Sequence, residues 1–182
     1  MAHTHVALLR GINVGGHKMV AMTDLRECIS SLGFENPCTL LQSGNLVFRS
    51  PKLTGEALER ALAAGVGKRF RMEIDFFVRS AKEWQALIAA NPFVREATDD
   101  PSHLIVHFLR TTPAAKTLGA LQAAIAGPEV VKAAGPQAYI VYPDGMGRSR
   151  LTPAILDKHL GRGTARNWNT ILRVKDALEA RG

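Results

Sequence analysis

The sequence lacks the features that mark membrane-spanning, exported and disulfide-rich proteins. No apolar run approaches the roughly 18 residues of a membrane span. Its two cysteines, Cys28 and Cys38, have no CxxC spacing, so we expect reduced thiols. No basic segment with an apolar run and a cleavage site stands at the beginning, and we expect no signal peptide. These absences predict a cytoplasmic protein without a membrane partner.

Recognisable catalytic and cofactor motifs are also missing. The sequence contains no HExxH, GxSxG or SxxK motif, no Walker loop and no dinucleotide fingerprint. Ser43 has no evident base, and His103 and His107 share a strand face without the spacing of metal ligands. His3 and His5 lie near the beginning of the sequence, where chains are often mobile. We expect no metal and no cofactor, and the sequence favours no particular reaction.

Acidic residues are scarce in particular segments. Lys and Arg total 23 against 16 Asp and Glu, which gives a formal charge of +7. Residues 1–23 and 39–55 contain no carboxylate, and residues 145–175 contain seven cationic residues and one acid, Asp157. Such an excess favours anionic partners, although it also serves solubility. Its concentration in a few segments favours a binding patch over general solubilising charge.

Apolar spacing and turn residues predict an α+β fold. The first 80 residues read as strand, helix, strand, strand, helix, strand, which is the ferredoxin-like order. Ser43-Gly44-Asn45 is typical of a hairpin turn. Asp24 with Glu27, and Ser80 with Glu83, have capping-box spacing at predicted helix starts. The predicted strands cover 6–10, 38–42, 46–49 and 74–78, and the helices 24–32 and 55–69.

The same pattern begins again after a polar, proline-containing stretch at 91–102. It predicts a strand at 103–109, a helix from Thr112-Pro113 to about 126, strands at 130–133 and 139–142, and helices at 152–160 and 168–180. The sequence therefore predicts two tandem ferredoxin-like (βαββαβ) lobes, the second followed or completed by a C-terminal helix. We place the domains at 1–90, which includes a connector helix, and 91–182.

Two polar, glycine-containing segments should meet at one edge of the first sheet. A right-handed crossover makes the first two strands parallel, so the end of the first strand lies beside the hairpin after the second. Glycine-rich turns and an arginine can bind anions. Alternatively, these residues only satisfy the polar groups of the loops. The candidate ligand-binding residues here are Arg10, Asn13, Gly15, Gly16, Gln42, Ser43 and Asn45.

A third polar segment precedes the last predicted helix. Arg166 and Asn167 lie where free N–H groups and the helix dipole favour anions. Asn167 is equally suited to cap the helix, and Arg166 to bind carbonyl groups or an acid of its own lobe. Trp168 could stack on a base, but its apolar spacing favours a place in the core. We predict that Arg166 and Asn167 approach the Arg10 edge and form one basic cleft.

The motifs resemble those of the family catalogued as domain of unknown function 1697. The resemblance is carried by VALLRGINVGG at 6–16, LQSGNLVF at 41–48, GMGRSRL at 145–151 and TARNWNT at 164–170. It extends in order over essentially the whole chain. The resemblance implies a bacterial protein of two ferredoxin-like parts, and it carries no activity or catalytic residues.

These observations favour a protein that binds an anionic ligand, either nucleic acid or a phosphorylated small molecule. Two other functions stay open. One is an enzyme acting on a small metabolite through Ser43, Asn45 and Arg166. The other is a structural or self-associating protein whose motifs only hold the lobes together. The oligomeric state is also open.

Overall fold

The computed structural model describes residues 2–13 and 19–181. Their contacts group the chain into two compact units, one of residues 1–85 with 173–182 and one of residues 86–172. The predicted division into domains after residue 90 stays a prediction. The strands are β1 (His3–Leu9), β2 (Glu35–Leu40), β3 (Asn45–Ser50), β4 (Phe76–Ser80), β5 (Leu104–Phe108), β6 (Val130–Ala133), β7 (Gln137–Val141) and β8 (Thr164–Asn167). The helices are α1 (Met22–Ser31), α2 (Gly55–Phe70), α3 (Ala81–Ala89), α4 (Val94–Asp99), α5 (Ala115–Ala124), α6 (Pro153–Leu160) and α7 (Trp168–Glu179).

The first unit has the predicted ferredoxin-like topology. Its four strands lie in the order β2-β3-β1-β4, and each neighbouring pair is antiparallel. Since β1 and β2 are both antiparallel to β3, they run parallel to each other. Helices α1 and α2 pack against each other and bury their apolar faces with the sheet. Residues at the centre of this core include Ala7, Leu9, Leu25, Ile29, Phe48, Leu58, Leu62 and Phe76.

A buried glutamate side chain accepts a hydrogen bond from the edge strand β4 of this sheet. Strand β4 is the last strand of the order, and Val78 pairs with Ala7 of β1. On its other side, the backbone N–H of Val78 donates to Oε1 of Glu59 at 2.8 Å. Glu59 belongs to α2 and is only 8% exposed. A side chain of the helix therefore satisfies a donor that the edge strand would otherwise leave open.

The second unit repeats the topology in the order β6-β7-β5-β8, again with antiparallel neighbours. The short strand β8 completes the sheet, and α7 begins directly after it. The C-terminal helix thus follows a fourth strand rather than replacing it.

The phenol of Tyr139 donates to the carbonyl of Leu87 at 2.6 Å, and burial raises the pKa of Tyr139 to about 12.

Helix starts agree with the sequence at some positions and differ at others. Ser80 and Glu83 form the predicted capping box, with reciprocal N–H bonds of 2.7 and 3.2 Å. The Thr152 hydroxyl accepts from Ile155 N at 3.4 Å, as expected for a cap before proline. The predicted cap at Asp24 is wrong, because α1 begins two residues earlier, with Met22 buried in the core. Helix α4 was not predicted and lies within the polar, proline-containing stretch at 91–102.

None of the helices in the described ranges is long and apolar enough to span a membrane.

Candidate functional site

The end of β1 and the turn between β2 and β3 lie side by side, as the parallel arrangement of β1 and β2 requires. Leu8 is paired with Asn45 in the register of β1 and β3. One residue further, the N–H of Leu9 donates to the carbonyl of Gly44 at 2.9 Å. The expected meeting of the RGIN segment with the hairpin turn is confirmed at Ile12 and Asn13, and a side-chain contact of Arg10 with the turn stays a prediction. Gly15 and Gly16, also predicted site residues, lie outside the described residues.

Asn13 joins these two segments through its side chain. Its Nδ2 donates to the carbonyls of Val20 at 3.0 Å and Gln42 at 2.9 Å, and its Oδ1 accepts from Val20 N at 2.8 Å. The two bonds hold Asn13 and Val20 together, as a pair of peptide groups would. The third bond joins Asn13 to the turn. Asn13 therefore builds the surface, and its amide is committed to the protein.

The turn at residues 41–44 presents Gln42 and Ser43 to solvent. Gly44 has φ +74°, and a Cβ there would lie 2.7 Å from Ile12 Cδ1 and 2.9 Å from Leu9 Cβ. Only glycine fits both the conformation and the space. Asn45 is fully buried, and its Nδ2 donates to the Leu40 carbonyl at 2.9 Å and to Ser43 Oγ at 3.0 Å. Asn45 thus shapes the turn, and the side chains of Gln42 and Ser43 are exposed to solvent.

Two arginines belong to the elements that flank this turn, Arg10 directly after β1 and Arg26 on α1. Arg10 is half-buried, and its backbone N–H donates to the carbonyl of Asp75 at 3.0 Å. Arg26, on α1, donates from Nη1 to Oγ1 of Thr39 at 2.8 Å, two residues before the turn begins. Sequence reasoning missed Arg26, because nothing in the sequence pairs it with Thr39. The surface formed by Arg10, Arg26 and the turn 41–44 is called the turn surface below.

The third predicted segment lies in the second unit, and its polar groups serve local structure. Arg166 is 9% exposed and donates from Nη1 to Thr164 Oγ1 at 2.9 Å and to the Ala165 carbonyl at 2.7 Å. Burial lowers the pKa of Arg166 to about 10, so the guanidinium is still charged at neutral pH. These contacts correspond to the carbonyl-binding alternative considered for Arg166. Its approach to Arg10 stays a prediction.

Asn167 and Trp168 begin the last helix. The Oδ1 of Asn167 accepts from Thr170 N at 3.0 Å and from Thr170 Oγ1 at 2.9 Å, which is the geometry of an N-cap. Trp168 is 4% exposed, as expected of a core residue, and its backbone N–H donates to the Pro101 carbonyl at 3.1 Å. Asn167 therefore caps the N-terminus of α7, which is one of the two roles expected for it. Its role towards a ligand stays a prediction.

No group of three or more His, Cys, Asp or Glu side chains within residues 2–13 and 19–181 could hold a metal ion. Cys28 and Cys38 are both free thiols. Burial raises the pKa of Cys28, which disfavours its reactive thiolate form. The chemistry that the turn surface offers is therefore hydrogen bonding and positive charge.

The two sheets and their helices define an α+β protein of two tandem ferredoxin-like units. A family model described as "Protein of unknown function (DUF1697)" matches residues 2–139, and the chain belongs to this family. A solved structure described as conserved bacterial protein SP0830 from Streptococcus pneumoniae is similar over 97% of this chain and 98% of its own. Its TM-score is 0.76 at 20% sequence identity, so the likeness concerns the fold. No curated protein matches the chain.

Proposed function

We propose that this protein binds an anionic, phosphate-bearing ligand at the turn surface. The observation that carries the proposal is the side-chain bridge from Asn13 to Val20 and Gln42. It fixes Asn13 and Val20 against a turn that exposes Gln42 and Ser43. A surface held in shape before binding loses less entropy when the ligand arrives.

Charge supports an anion over a neutral or cationic ligand. Arg26 bonds to Thr39 just before the turn, and Arg10 follows β1, with its backbone against Asp75. The sequence segments 1–23 and 39–55 contain no carboxylate. Arginine presents a planar fork of donors that matches phosphate. The remaining predicted ligand residues, Arg166 and Asn167, belong to the proposal on sequence grounds, since their observed contacts lie within the second unit.

The experiment measures binding of single-stranded RNA, duplex DNA and inorganic phosphate at several salt concentrations. We expect Arg10→Ala and Arg26→Ala each to weaken binding and to reduce the salt slope by about one for each phosphate that is no longer neutralised. Lys68→Ala is the matched control, because it removes an exposed cation from the last turn of α2.

The probes separate nucleic acid from a phosphorylated small molecule. Salt-dependent binding of RNA or DNA identifies nucleic acid as the ligand, whereas saturable binding of phosphate alone identifies a small molecule. If Arg10→Ala, Arg26→Ala and Lys68→Ala bind every probe as the wild type does, the turn surface is not the site.

A further inference from the structure

A second polar surface lies at the opposite end of β1 from the turn surface. The register places His3 opposite Ser50 at the end of β3, and His5 opposite Ser80 at the end of β4. Strand β3 leads into α2, and β4 leads directly into α3. Because β3 and β4 both run antiparallel to β1, both helices begin at this edge. Their N-termini therefore lie close to the two histidines of β1.

A cavity of about 730 Å³ opens here, within the first unit. Small-molecule sites usually measure roughly 300–1,000 Å³, so the volume suits a metabolite. Its polar lining includes His3, His5, Thr54, Ser80, Lys82 and Glu83. We call it the histidine cavity.

His5 brings a largely buried side chain with one open hydrogen-bond acceptor to the lining of this cavity. The residue is 2% exposed, and its ring lies beside Phe48, with centroids 6.2 Å apart. Its Nδ1 is 2.9 Å from the carbonyl oxygen of His3 and must donate, because a carbonyl only accepts. In the neutral ring Nε2 is then an acceptor, and no residue of the described chain bonds to it. This nitrogen is not among the fully buried polar atoms of the described residues, so solvent or a ligand in the cavity can reach it.

The neutral ring is the form expected when the cavity is empty. Burial lowers the pKa of His5, and the neighbouring His3 lowers it further. Glu83 acts in the opposite direction, as does the hydrogen bond to His3. Lys82 is the other charged residue of the lining, and it forms no ion pair in residues 2–13 and 19–181.

The N-terminus of α2 offers donors beside this acceptor. The Thr54 side chain makes no capping bond, and the N–H groups of Gly55, Glu56 and Ala57 have no partner among the residues described. A Cβ built on Gly55 would meet nothing within 4 Å, so the first residue of α2 faces open space. By contrast, Ser80 and Glu83 cap α3. Free N–H groups at the start of a 16-residue helix favour a negative charge.

We propose that the histidine cavity binds a small molecule that carries a phosphate or carboxylate group next to a hydroxyl group. The anionic group binds the free N–H groups of α2, with Lys82 adding positive charge. The ligand hydroxyl donates to His5 Nε2. This site is separate from the turn surface and does not depend on the function proposed there.

The test uses glycerol 3-phosphate as the probe, with inorganic phosphate and glycerol for comparison, measured by calorimetry at pH 7.5. We expect glycerol 3-phosphate to bind more tightly than inorganic phosphate, and glycerol not to bind. His5→Asn keeps a donor in the place of Nδ1 but removes Nε2, and it should weaken binding about tenfold, the value of one hydrogen bond. His5→Gln places a polar group near the position of Nε2 and should bind better than His5→Asn.

Lys82→Met tests the charge without touching the buried ring. It should weaken binding several-fold, whereas Lys68→Met, an exposed lysine at the other end of α2, should not. Equal affinity in the wild type, His5→Asn and Lys82→Met overturns the proposal, as does a dissociation constant above about 10 mM for glycerol 3-phosphate. Arg10→Ala should leave this binding unchanged, so the failure of one site is distinguishable from the failure of the other.

Discussion

Asn13 and Gln42 are 29 residues apart in the chain and are joined by a hydrogen bond of 2.9 Å from the amide of one to the carbonyl of the other. The same amide group pairs with both backbone groups of Val20. One side chain thus holds Asn13 and Val20 together and ties them to the β2–β3 turn.

The first prediction concerns this bridge. Asn13→Asp keeps the acceptor but removes the two donated bonds, so we expect the free energy of unfolding to fall by about 1–3 kcal/mol. Asn36→Asp is the matched control, because Asn36 is exposed and has a similar φ of +50°. Urea unfolding measures both. A decrease no greater for Asn13 than for Asn36 would show that the bridge adds nothing to stability.

The second prediction compares two glycines with left-handed backbones. Gly44→Ala places a methyl group against Ile12 and Leu9 and should cost about 2–4 kcal/mol of unfolding free energy. Gly11 has φ +67° but open space around its Cβ position, so Gly11→Ala should cost only about 1–2 kcal/mol. Denaturant unfolding measures the loss of unfolding free energy in both variants. The difference between the two losses is the cost of the steric clash at Gly44, and equal losses would argue against close packing there.

The third prediction concerns Trp168. Its burial predicts that Trp168→Ala lowers the free energy of unfolding by about 3–5 kcal/mol. Asn169→Ala, an exposed neighbour on α7, should change it little. Thermal unfolding and RNA binding are measured together. Wild-type stability without RNA binding would instead assign Trp168 to base stacking.

The fourth prediction concerns acid stability. The pKa of His5 is lower in the folded protein than its usual 6.5, so the unfolded chain takes up the proton first. The free energy of unfolding should therefore fall as the pH drops from 6.5 through the folded pKa. His5→Asn should flatten this part of the stability curve. An identical slope in the variant would mean that other groups control acid unfolding.

The fifth prediction asks whether Arg166 acts with Arg10. If both bind one ligand, each alanine variant weakens nucleic-acid or phosphate binding, and the double variant reduces the salt slope further. Because Arg166 is buried and bonded to Thr164 and Ala165, Arg166→Ala should also lower stability. Binding is therefore compared at a temperature where all variants are folded. Reduced stability with unchanged binding would make Arg166 a structural residue only.

The sequence predicts most of the fold because its signals are periodic and local. Apolar alternation and the Ser80–Glu83 spacing mark strands and a cap that need no distant partner. The start of α1 could not be placed in this way, because core packing of Met22 extends the helix beyond the cap expected at Asp24. Helix α4 is only six residues long, too short for a periodic signal.

The candidate site was only partly predictable. Topology alone brings Arg10 and Gln42 to one edge, and this follows from the order of strands. Which polar side chains are used by the protein itself depends on three-dimensional contacts. Asn13 and Asn45 look like ligand residues in the sequence, yet their amides hold the backbone. His5, close to the beginning of the sequence, is in contrast firmly placed in β1 and buried.

The contact between Glu59 and Val78 has a consequence for self-association. An edge strand with open N–H groups can recruit a strand from another molecule and start aggregation. Here a helix carboxylate already occupies the donor at the middle of β4. A foreign strand would have to break this hydrogen bond and leave a buried carboxyl group without its donor, which is costly. At this position the first sheet ends at β4 instead of growing across molecules.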